Sequence, residues 1–206
     1  MNTLIIKYLP SGENSKTALL LDYFNSIQKS DVTEVIDLCM VDIPYFNEEN
    51  FQIYIKRNFM HKTVRDEESK TLKPFDDLIK KVIFADLLVF VFPMYNYSLP
   101  GVVKSFYDAI MFNGETFNVS KSGFPIGLLT EKKSLTLYSS GGDYTKNERM
   151  KSLDNVLTLT ELLNRHIGIK KYETVCLVTG DNSSIEESLS SCRCKIDTFL
   201  NSFSEI

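Results

Sequence analysis

An uninterrupted apolar run from Leu87 to Phe92 limits the folds open to this chain. The run is far shorter than the roughly 18 residues of a membrane-spanning helix, and it has the usual length of a β-strand. A strand that is apolar at every position is buried on both faces, which is typical of a parallel sheet covered by helices on each side. The run therefore predicts the central strand of an α/β domain.

Strand-like and helix-like segments alternate along the rest of the chain. Further strands are predicted at Thr3–Leu9, Glu34–Leu38, Ser134–Tyr138 and Lys171–Val178. Helices are predicted at Ser15–Gln28, Phe75–Phe84, Pro100–Phe112, Arg149–His166 and Ile185–Phe203. The less regular segment from Asp42 to Pro74 is expected to hold one or two short helices and a mobile loop. The alternation predicts a single doubly wound α/β domain over residues 1–206, with a five-stranded parallel sheet between two helical layers.

Charge and cysteine content exclude several classes of protein. The chain has 23 basic and 27 acidic side chains and a formal net charge of −4, with no basic tract suited to nucleic-acid phosphates. Its four cysteines are too sparse for a disulfide framework, and the C-x-C spacing of Cys192 and Cys194 points their thiols apart in a helix. The N-terminus lacks the pattern of a secretory signal. We therefore expect a cytoplasmic, reduced protein that binds neither nucleic acid nor a membrane.

In a doubly wound sheet, ligands bind beyond the carboxyl ends of the strands, where the strand order reverses. After the first strand, small polar residues lead through Ser15, Lys16 and Thr17 into a helix. Hydroxyls and free N–H groups at a helix start can hold a phosphate, although Ser and Thr are equally ordinary helix caps there. The segment matches neither a nucleotide P-loop nor a dinucleotide fingerprint.

Two further loops are predicted at the same edge of the sheet. After the central strand come Pro93, Met94, Tyr95, Asn96 and Tyr97, which offer rigid backbone groups, an amide and flat side chains suited to a planar heteroaromatic ring. A plain proline-bounded connection with surface tyrosines is the alternative. After the fourth strand come Ser139, Ser140, Gly141 and Gly142, where glycines allow either close approach of a ligand or a simple turn. The convergence of three loops favours a ligand site.

Other kinds of chemistry have no motif in this sequence. The two histidines, His61 and His166, stand apart, and no H-E-x-x-H motif or Cys/His cluster is present, so we expect no metal site. A G-x-S-x-G elbow is also missing, which argues against a hydrolase triad. No catalytic side chain is therefore predicted.

The motifs resemble those of the FMN-dependent NADH-azoreductases, which are flavodoxin-like and related more distantly to NAD(P)H:quinone oxidoreductases. The likeness rests on Ser15-Lys16-Thr17, on Pro93-Met94-Tyr95-Asn96-Tyr97, on Gly114-Glu115-Thr116-Phe117 and on Ser139-Ser140-Gly141-Gly142, and it covers nearly the whole chain in order. It implies that Ser15, Lys16 and Thr17 hold the FMN phosphate and that residues 93–97 surround the isoalloxazine edge. Ser139, Ser140, Gly141 and Gly142 are implied to contact the pyrimidine side.

The resemblance also implies an activity. NADH or NADPH would supply electrons that pass through bound FMN, with the chemistry at its N5 atom, to quinones and aromatic azo compounds in ping-pong fashion. The sequence leaves the choice between NADH and NADPH open, since it has neither a dinucleotide fingerprint nor a clear arginine for the 2′-phosphate; Arg57 and Arg65 are the candidates. A flavodoxin-like electron carrier, which binds FMN without turning over small molecules, is the alternative.

A homodimer with two sites at the subunit interface is a further implication. Tyr54, Phe59, Phe112 and Phe117 are candidates to line the second half of the substrate pocket, or else to pack in the core, and Tyr144 is a further substrate-binding candidate. The chain departs from the family pattern at Tyr8-Leu9-Pro10, where serine is frequent. It also has Ser140 where arginine is frequent and Tyr144 near the position of a frequent histidine, and these departures bear on substrate preference more than on flavin binding.

Overall fold

The computed structural model describes residues 1–180 and 185–203. Five strands form a parallel sheet in the order β2-β1-β3-β6-β7. They are β1 (Asn2–Lys7), β2 (Val32–Asp37), β3 (Leu87–Pro93), β6 (Lys133–Ser140) and β7 (Lys171–Val178). A separate hairpin pairs β4 (Phe117–Val119) with β5 (Pro125–Gly127). The strand order reverses between β1 and β3, as a doubly wound sheet requires.

Helices cover both faces of the sheet. They are α1 (Ala18–Ile27), α2 (Glu48–Tyr54), α3 (Asp66–Phe84), α4 (Gly101–Ile110), α5 (Glu148–Lys151), α6 (Asn155–Ile167) and α7 (Ile185–Asn201). One apolar core lies against α1 and α7, and the other lies against α3, α4 and α6. Every side chain from Leu87 to Phe92 is fully buried, which confirms the central strand predicted from its composition. None of the helices in the described residues is both long and apolar enough to cross a bilayer.

Helix α3 begins nine residues earlier than predicted, because Pro74 lies inside it and does not mark its start. The first turn is stabilised by its acidic side chains and by the Glu68 carboxylate, which accepts a hydrogen bond of 2.7 Å from the Arg65 N–H. Pro74 cannot donate to the carbonyl of Lys70, but both residues are exposed, so water can solvate that carbonyl.

The predicted helix from Arg149 to His166 is divided in the structure into α5 and α6. Asp154 starts α6, since its carboxylate accepts from the N–H groups of Val156 at 2.9 Å and Leu157 at 3.4 Å. The helix ends at Gly168, as predicted, with a left-handed φ of 95°.

The region between Asp42 and Pro74 contains α2, which continues as a π-helix over Ile55–Phe59. This agrees with the short helices expected there. The β4–β5 hairpin was not predicted, because each of its strands has only three residues. It packs on the end of α6 through two glycines: a Cβ on Gly127 would overlap the backbone of Gly168.

Candidate functional site

Three loops meet at the carboxyl edge of the sheet, because β1, β3 and β6 are neighbours there. The Met94 N–H donates to the Ser139 carbonyl at 2.8 Å and joins the loops after β3 and β6. The hydroxyls of Thr17 and Ser139 are hydrogen bonded at 2.6 Å, which joins the loops after β1 and β6. The rings of Tyr8 and Tyr95 contact each other edge to face, with centroids 6.0 Å apart. The structure thus brings together the three predicted segments.

The loop after β1 ends in a helix start with free hydrogen-bond donors. The N–H groups of Lys16 and Thr17 donate to no acceptor within the described residues. Thr17 makes no capping hydrogen bond through its side chain, which is fully buried and bound to Ser139. Lys16 is exposed and Ser15 is half-buried. Free N–H groups, the positive end of the α1 dipole and a lysine are together suited to an anion.

The loop after β3 is a tight turn with a strained backbone. Tyr95 and Ser98 exchange backbone hydrogen bonds of 3.0 and 2.9 Å, and the two residues between them, Asn96 and Tyr97, have φ of 47° and 65°. Asparagine tolerates this left-handed region, but for a tyrosine it costs roughly 1 kcal/mol or more. The N–H groups of Asn96 and Tyr97 have no acceptor in the described part of the chain. Strain of this kind is often stored at functional sites.

The loop after β6 lies very close to the backbone that follows β7. A Cβ on Gly180 would overlap the Gly141 carbonyl oxygen, so glycine is required at that contact. Ser140 is buried, and its hydroxyl donates to the Gly142 carbonyl at 2.7 Å. The N–H groups of Gly141 and Gly142 donate to nothing within residues 1–180 and 185–203. Tyr144 extends from this loop and packs edge to face on Tyr97, with ring centroids 6.1 Å apart.

Three groups at this edge, Tyr8, Tyr144 and Cys176, stay protonated at neutral pH. Desolvation and the neighbouring Tyr95 raise the pKa of Tyr8, and desolvation and Tyr97 raise the pKa of Tyr144. Burial also raises the pKa of the Cys176 thiol, whose sulfur lies 3.3 Å from the Ser140 hydroxyl. These side chains therefore add neutral donors and flat rings to the loops, which suit the edge of a heteroaromatic ring.

Several known proteins are similar to this chain in sequence and in fold. A sequence model of the flavodoxin-like fold family matches residues 1–200. The FMN-dependent NADH:quinone oxidoreductase of Staphylococcus haemolyticus is 33% identical over 186 residues, which cover 86% of this chain and 84% of that protein. The chain belongs to this flavodoxin-like family.

One further relative agrees in sequence, and one solved structure agrees in fold. The FMN-dependent NADH:quinone oxidoreductase of Staphylococcus aureus strain bovine RF122 / ET3-1 is 32% identical over 182 residues, or 88% of this chain and 83% of that protein. The crystal structure of an FMN-dependent NADH-azoreductase from Bacillus anthracis, in complex with FMN, superposes with a TM-score of 0.83 over 100% of both chains at 21% identity. The resemblance and the fold class predicted from the sequence are confirmed.

The aromatic candidates for the second half of the pocket lie apart from the three loops of this flavodoxin-like chain. Tyr54 and Phe112 are buried with ring centroids 4.5 Å apart, and the Tyr54 hydroxyl accepts from the Asn113 N–H at 3.1 Å. Phe117 pairs with Gly127 and contacts His166 at the end of α6. Because α4 and α6 run back from the loop edge, these residues lie at the amino edge of the sheet. Phe59 contacts Tyr54 and is partly exposed.

Both candidate arginines for a 2′-phosphate, Arg57 and Arg65, lie beside carboxylates. The Arg57 guanidinium makes two hydrogen bonds to Asp76, at 2.8 and 2.7 Å. Arg65 is mostly exposed and lies 3.5 Å from the Glu68 carboxylate. Within residues 1–180 and 185–203, no group of three His, Cys, Asp or Glu side chains could hold a metal ion.

One residue at the loop edge was not predicted from the sequence. Asp154 is only 5% exposed and accepts a hydrogen bond of 2.6 Å from the Tyr138 hydroxyl at the end of β6. Burial raises the pKa of Tyr138 far above its usual range, so this hydroxyl remains a donor. An acidic residue just before an amphipathic helix is a recognisable capping signal, and it could have placed Asp154 at the start of α6.

Proposed function

We propose that this protein is an FMN-dependent NAD(P)H oxidoreductase that reduces quinones and cleaves aromatic azo compounds to amines. The observation that carries the proposal is the set of free backbone N–H groups that three loops present at one edge of the sheet. The chain's membership of the flavodoxin-like family supports it. Curated relatives at 33 and 32% identity are named FMN-dependent NADH:quinone oxidoreductases, which supports the same activity here.

The residues of the three loops fit FMN. The free N–H groups of Lys16 and Thr17 at the start of α1, with Ser15 beside them, would hold the phosphate. Pro93, Met94, Tyr95, Asn96 and Tyr97 would hold one edge of the ring, and Ser139, Ser140, Gly141 and Gly142 would contact its pyrimidine side. When bound, FMN supplies the capacity to accept and release a hydride equivalent. The protein positions the ring, donates hydrogen bonds from its backbone and excludes water with its tyrosines.

The free N–H groups also favour the reduced state of the cofactor. Donors fixed in place before reaction stabilise negative charge that develops on a ring, because they need no reorganisation. Gly141 and Gly142 would supply such donors, and a Cβ added to Gly141 would meet nothing within 4 Å, so its backbone is open to a ligand. Tyr144 packs on Tyr97 beside them and is proposed to contact the substrate. We expect one site to serve both substrates in turn, and hence parallel double-reciprocal plots.

We also propose that the chain acts as a homodimer of single domains in the cytoplasm. Several large apolar side chains are exposed at the amino edge and around α2, namely Tyr45, Phe51, Phe59, Phe124, Ile126 and Leu162. Tyr45 is also part of the lining of a groove of about 510 Å³, together with Phe46, Phe117 and His166. An apolar patch of this kind is typical of an interface. Light scattering at several concentrations would test the dimer: a mass of one chain throughout would contradict it.

The proposal is tested by the visible spectrum of protein that has been mixed with FMN and desalted. We expect retained flavin that bleaches with NADH under anaerobic conditions and regains its colour on addition of a quinone. A protein that retains no flavin would contradict the proposal. Retained flavin that is bleached chemically but not by NADH or NADPH would instead indicate an electron carrier.

A matched pair of variants tests the first loop. Thr17→Val removes the buried hydroxyl that joins the loops, and we expect it to raise the Kd for FMN by about threefold to tenfold, since a hydrogen bond between neutral groups contributes about 0.5–1.5 kcal/mol. Thr198→Val removes an exposed hydroxyl on α7 that bonds only locally, to the Cys194 carbonyl, and serves as the control. Equal affinity for FMN in the two variants would show that the Thr17 hydroxyl does not contribute to FMN binding.

A further inference from the structure

Asp154 is a buried carboxylate whose hydrogen bonds connect two parts of the loop edge. One oxygen accepts from the Val156 N–H and caps α6, and the other accepts from the Tyr138 hydroxyl. A buried carboxylate is costly unless donors satisfy it, and here both oxygens are satisfied. The two bonds therefore fix the start of α6 to the carboxyl end of strand β6.

The bond between Asp154 and Tyr138 closes the base of the loop after β6. The two residues are 16 positions apart, and the segment between them contains Gly141, Gly142 and Tyr144. The Tyr138 ring is almost completely buried, so the closure point is firmly packed. The position of Asp154 therefore determines how the ends of this loop are held.

The next residue joins this loop to the turn after β3. The Asn155 N–H donates to the Tyr97 carbonyl at 3.0 Å. This N–H belongs to the first turn of α6, where backbone donors have no partner within the helix and can bind another segment. Tyr97 is the strained residue of the turn, with φ of 65°. The Asp154 cap thus directs the N–H that holds a strained residue in place.

We propose that Asp154 is a positioning residue that sets the distance between the turn at Tyr95–Ser98 and the loop at Gly141–Tyr144, and through it the fit of the flavin ring. The inference rests on the proposed function for its effect on flavin, but not for its effect on the loops. Asp154 acts through Tyr138 and Asn155, and no contact between its side chain and the cofactor is invoked.

Two substitutions break the same bond from opposite sides. Asp154→Ser keeps a good helix cap but is too short to reach Tyr138. Tyr138→Phe keeps the buried ring and removes only the hydroxyl. Asn147→Ser is the matched control, because Asn147 caps α5 through the Met150 N–H in the same loop. Asp154→Asn, which can still bond both to α6 and to the Tyr138 hydroxyl, is the conservative variant and should restore most of the wild-type behaviour.

The first measurement is amide hydrogen exchange in flavin-free protein. We expect Asp154→Ser and Tyr138→Phe to speed exchange at Tyr95, Ser98 and Asn155 roughly tenfold, the effect of losing about 1.4 kcal/mol of local stability. The double variant should be no faster than either single variant, because both remove one bond. Unchanged exchange at these amides in both variants would overturn the inference.

The second measurement is FMN affinity and steady-state kinetics of the loaded enzyme. We expect the Kd for FMN and the KM for the quinone to rise at least threefold in Asp154→Ser, and to return toward wild type in Asp154→Asn. A loss of overall stability with normal Kd and KM would reduce Asp154 to a structural cap and overturn the inference. Wild-type protein that binds no flavin would overturn the proposed function alone, since the exchange measurement still tests Asp154.

Discussion

The two faces of strand β6 are built in opposite ways. Leu135 and Leu137 point toward α1 and α7 and are fully buried in an apolar layer that includes Leu20, Phe24, Leu189 and Ile196. Ser134, Thr136 and Tyr138 alternate with them and point toward α4 and α6. That second face holds polar groups from the helices as well, namely Tyr107, Thr160 and Asn164.

Hydrogen bonding separates the faces further. On the polar face, the hydroxyls of Tyr107, Ser134 and Thr136 and both amide atoms of Asn164 lack a partner in the described structure. Buried polar groups without partners cost about 1–3 kcal/mol each. The same face, however, carries Tyr138 to Asp154 at the loop edge. The apolar face thus stabilises the fold. The unpartnered groups of the polar face lower that stability, and the same face extends to the candidate site through Tyr138.

The largest expected effect is on the apolar face. Leu137→Ala removes a fully buried side chain, and we expect the free energy of unfolding to fall by about 2–5 kcal/mol because a cavity remains. Leu157→Ala, at a side chain on α6 that is 44% exposed, is the control and should change stability by less than about 1 kcal/mol. Urea unfolding measures both. Similar losses in the two variants would contradict the division into faces.

A smaller effect, with opposite signs at two threonines, is expected on the polar face. Thr136→Val replaces an unpartnered hydroxyl by a methyl group and should raise the free energy of unfolding by about 1 kcal/mol. Thr160→Val removes a hydroxyl that donates to the Val156 carbonyl at 2.8 Å, and should lower it by about 1 kcal/mol. If Thr136→Val were also destabilising, its hydroxyl would have a partner such as a buried water.

The last prediction involves no change in stability. It concerns the reactivity of the cysteine thiols, one of which lies on the apolar face. Burial raises the pKa of Cys192 to about 11, whereas Cys39 and Cys194 are exposed. At pH 8 we expect a thiol reagent to label Cys39 and Cys194 at least about a hundredfold faster than Cys192, because only the thiolate reacts. Since the thiolate fraction rises with pH below this pKa, the Cys192 rate should increase between pH 7 and 9. Mass spectrometry of labelled peptides measures each rate; rapid labelling of Cys192 would contradict its burial.

The strands and the site loops could be predicted from the sequence, because they depend on local residue patterns. The strand from Leu87 to Phe92 is recognisable because all its positions are apolar, and β7 was predicted with its observed ends, Lys171 and Val178. The site loops could be predicted because they follow strand ends that a parallel sheet brings to one edge. Their left-handed turn at Asn96 and Tyr97 could not, because neither residue requires a positive φ.

What the sequence did not reveal depends on tertiary contacts. Pro74 looked like a helix boundary, yet its exposure allows α3 to pass through it. Asp154 is recognisable as a cap, but its link to Tyr138 exists only once α6 packs on β6. The roles of Tyr54, Phe59 and Phe117 in a substrate pocket stay predictions, and they depend on a second subunit.

The contact between Gly127 and Gly168 has a consequence for how this sequence can change over time. Two backbones touch there, so a side chain at either position must displace the hairpin or the junction between α6 and β7. No single substitution elsewhere restores the lost space, since the obstacle is main chain. We expect the two positions to be inherited together as glycine, and mutational scanning to find both among the least tolerant in the chain, although each lies at the edge farthest from the loops.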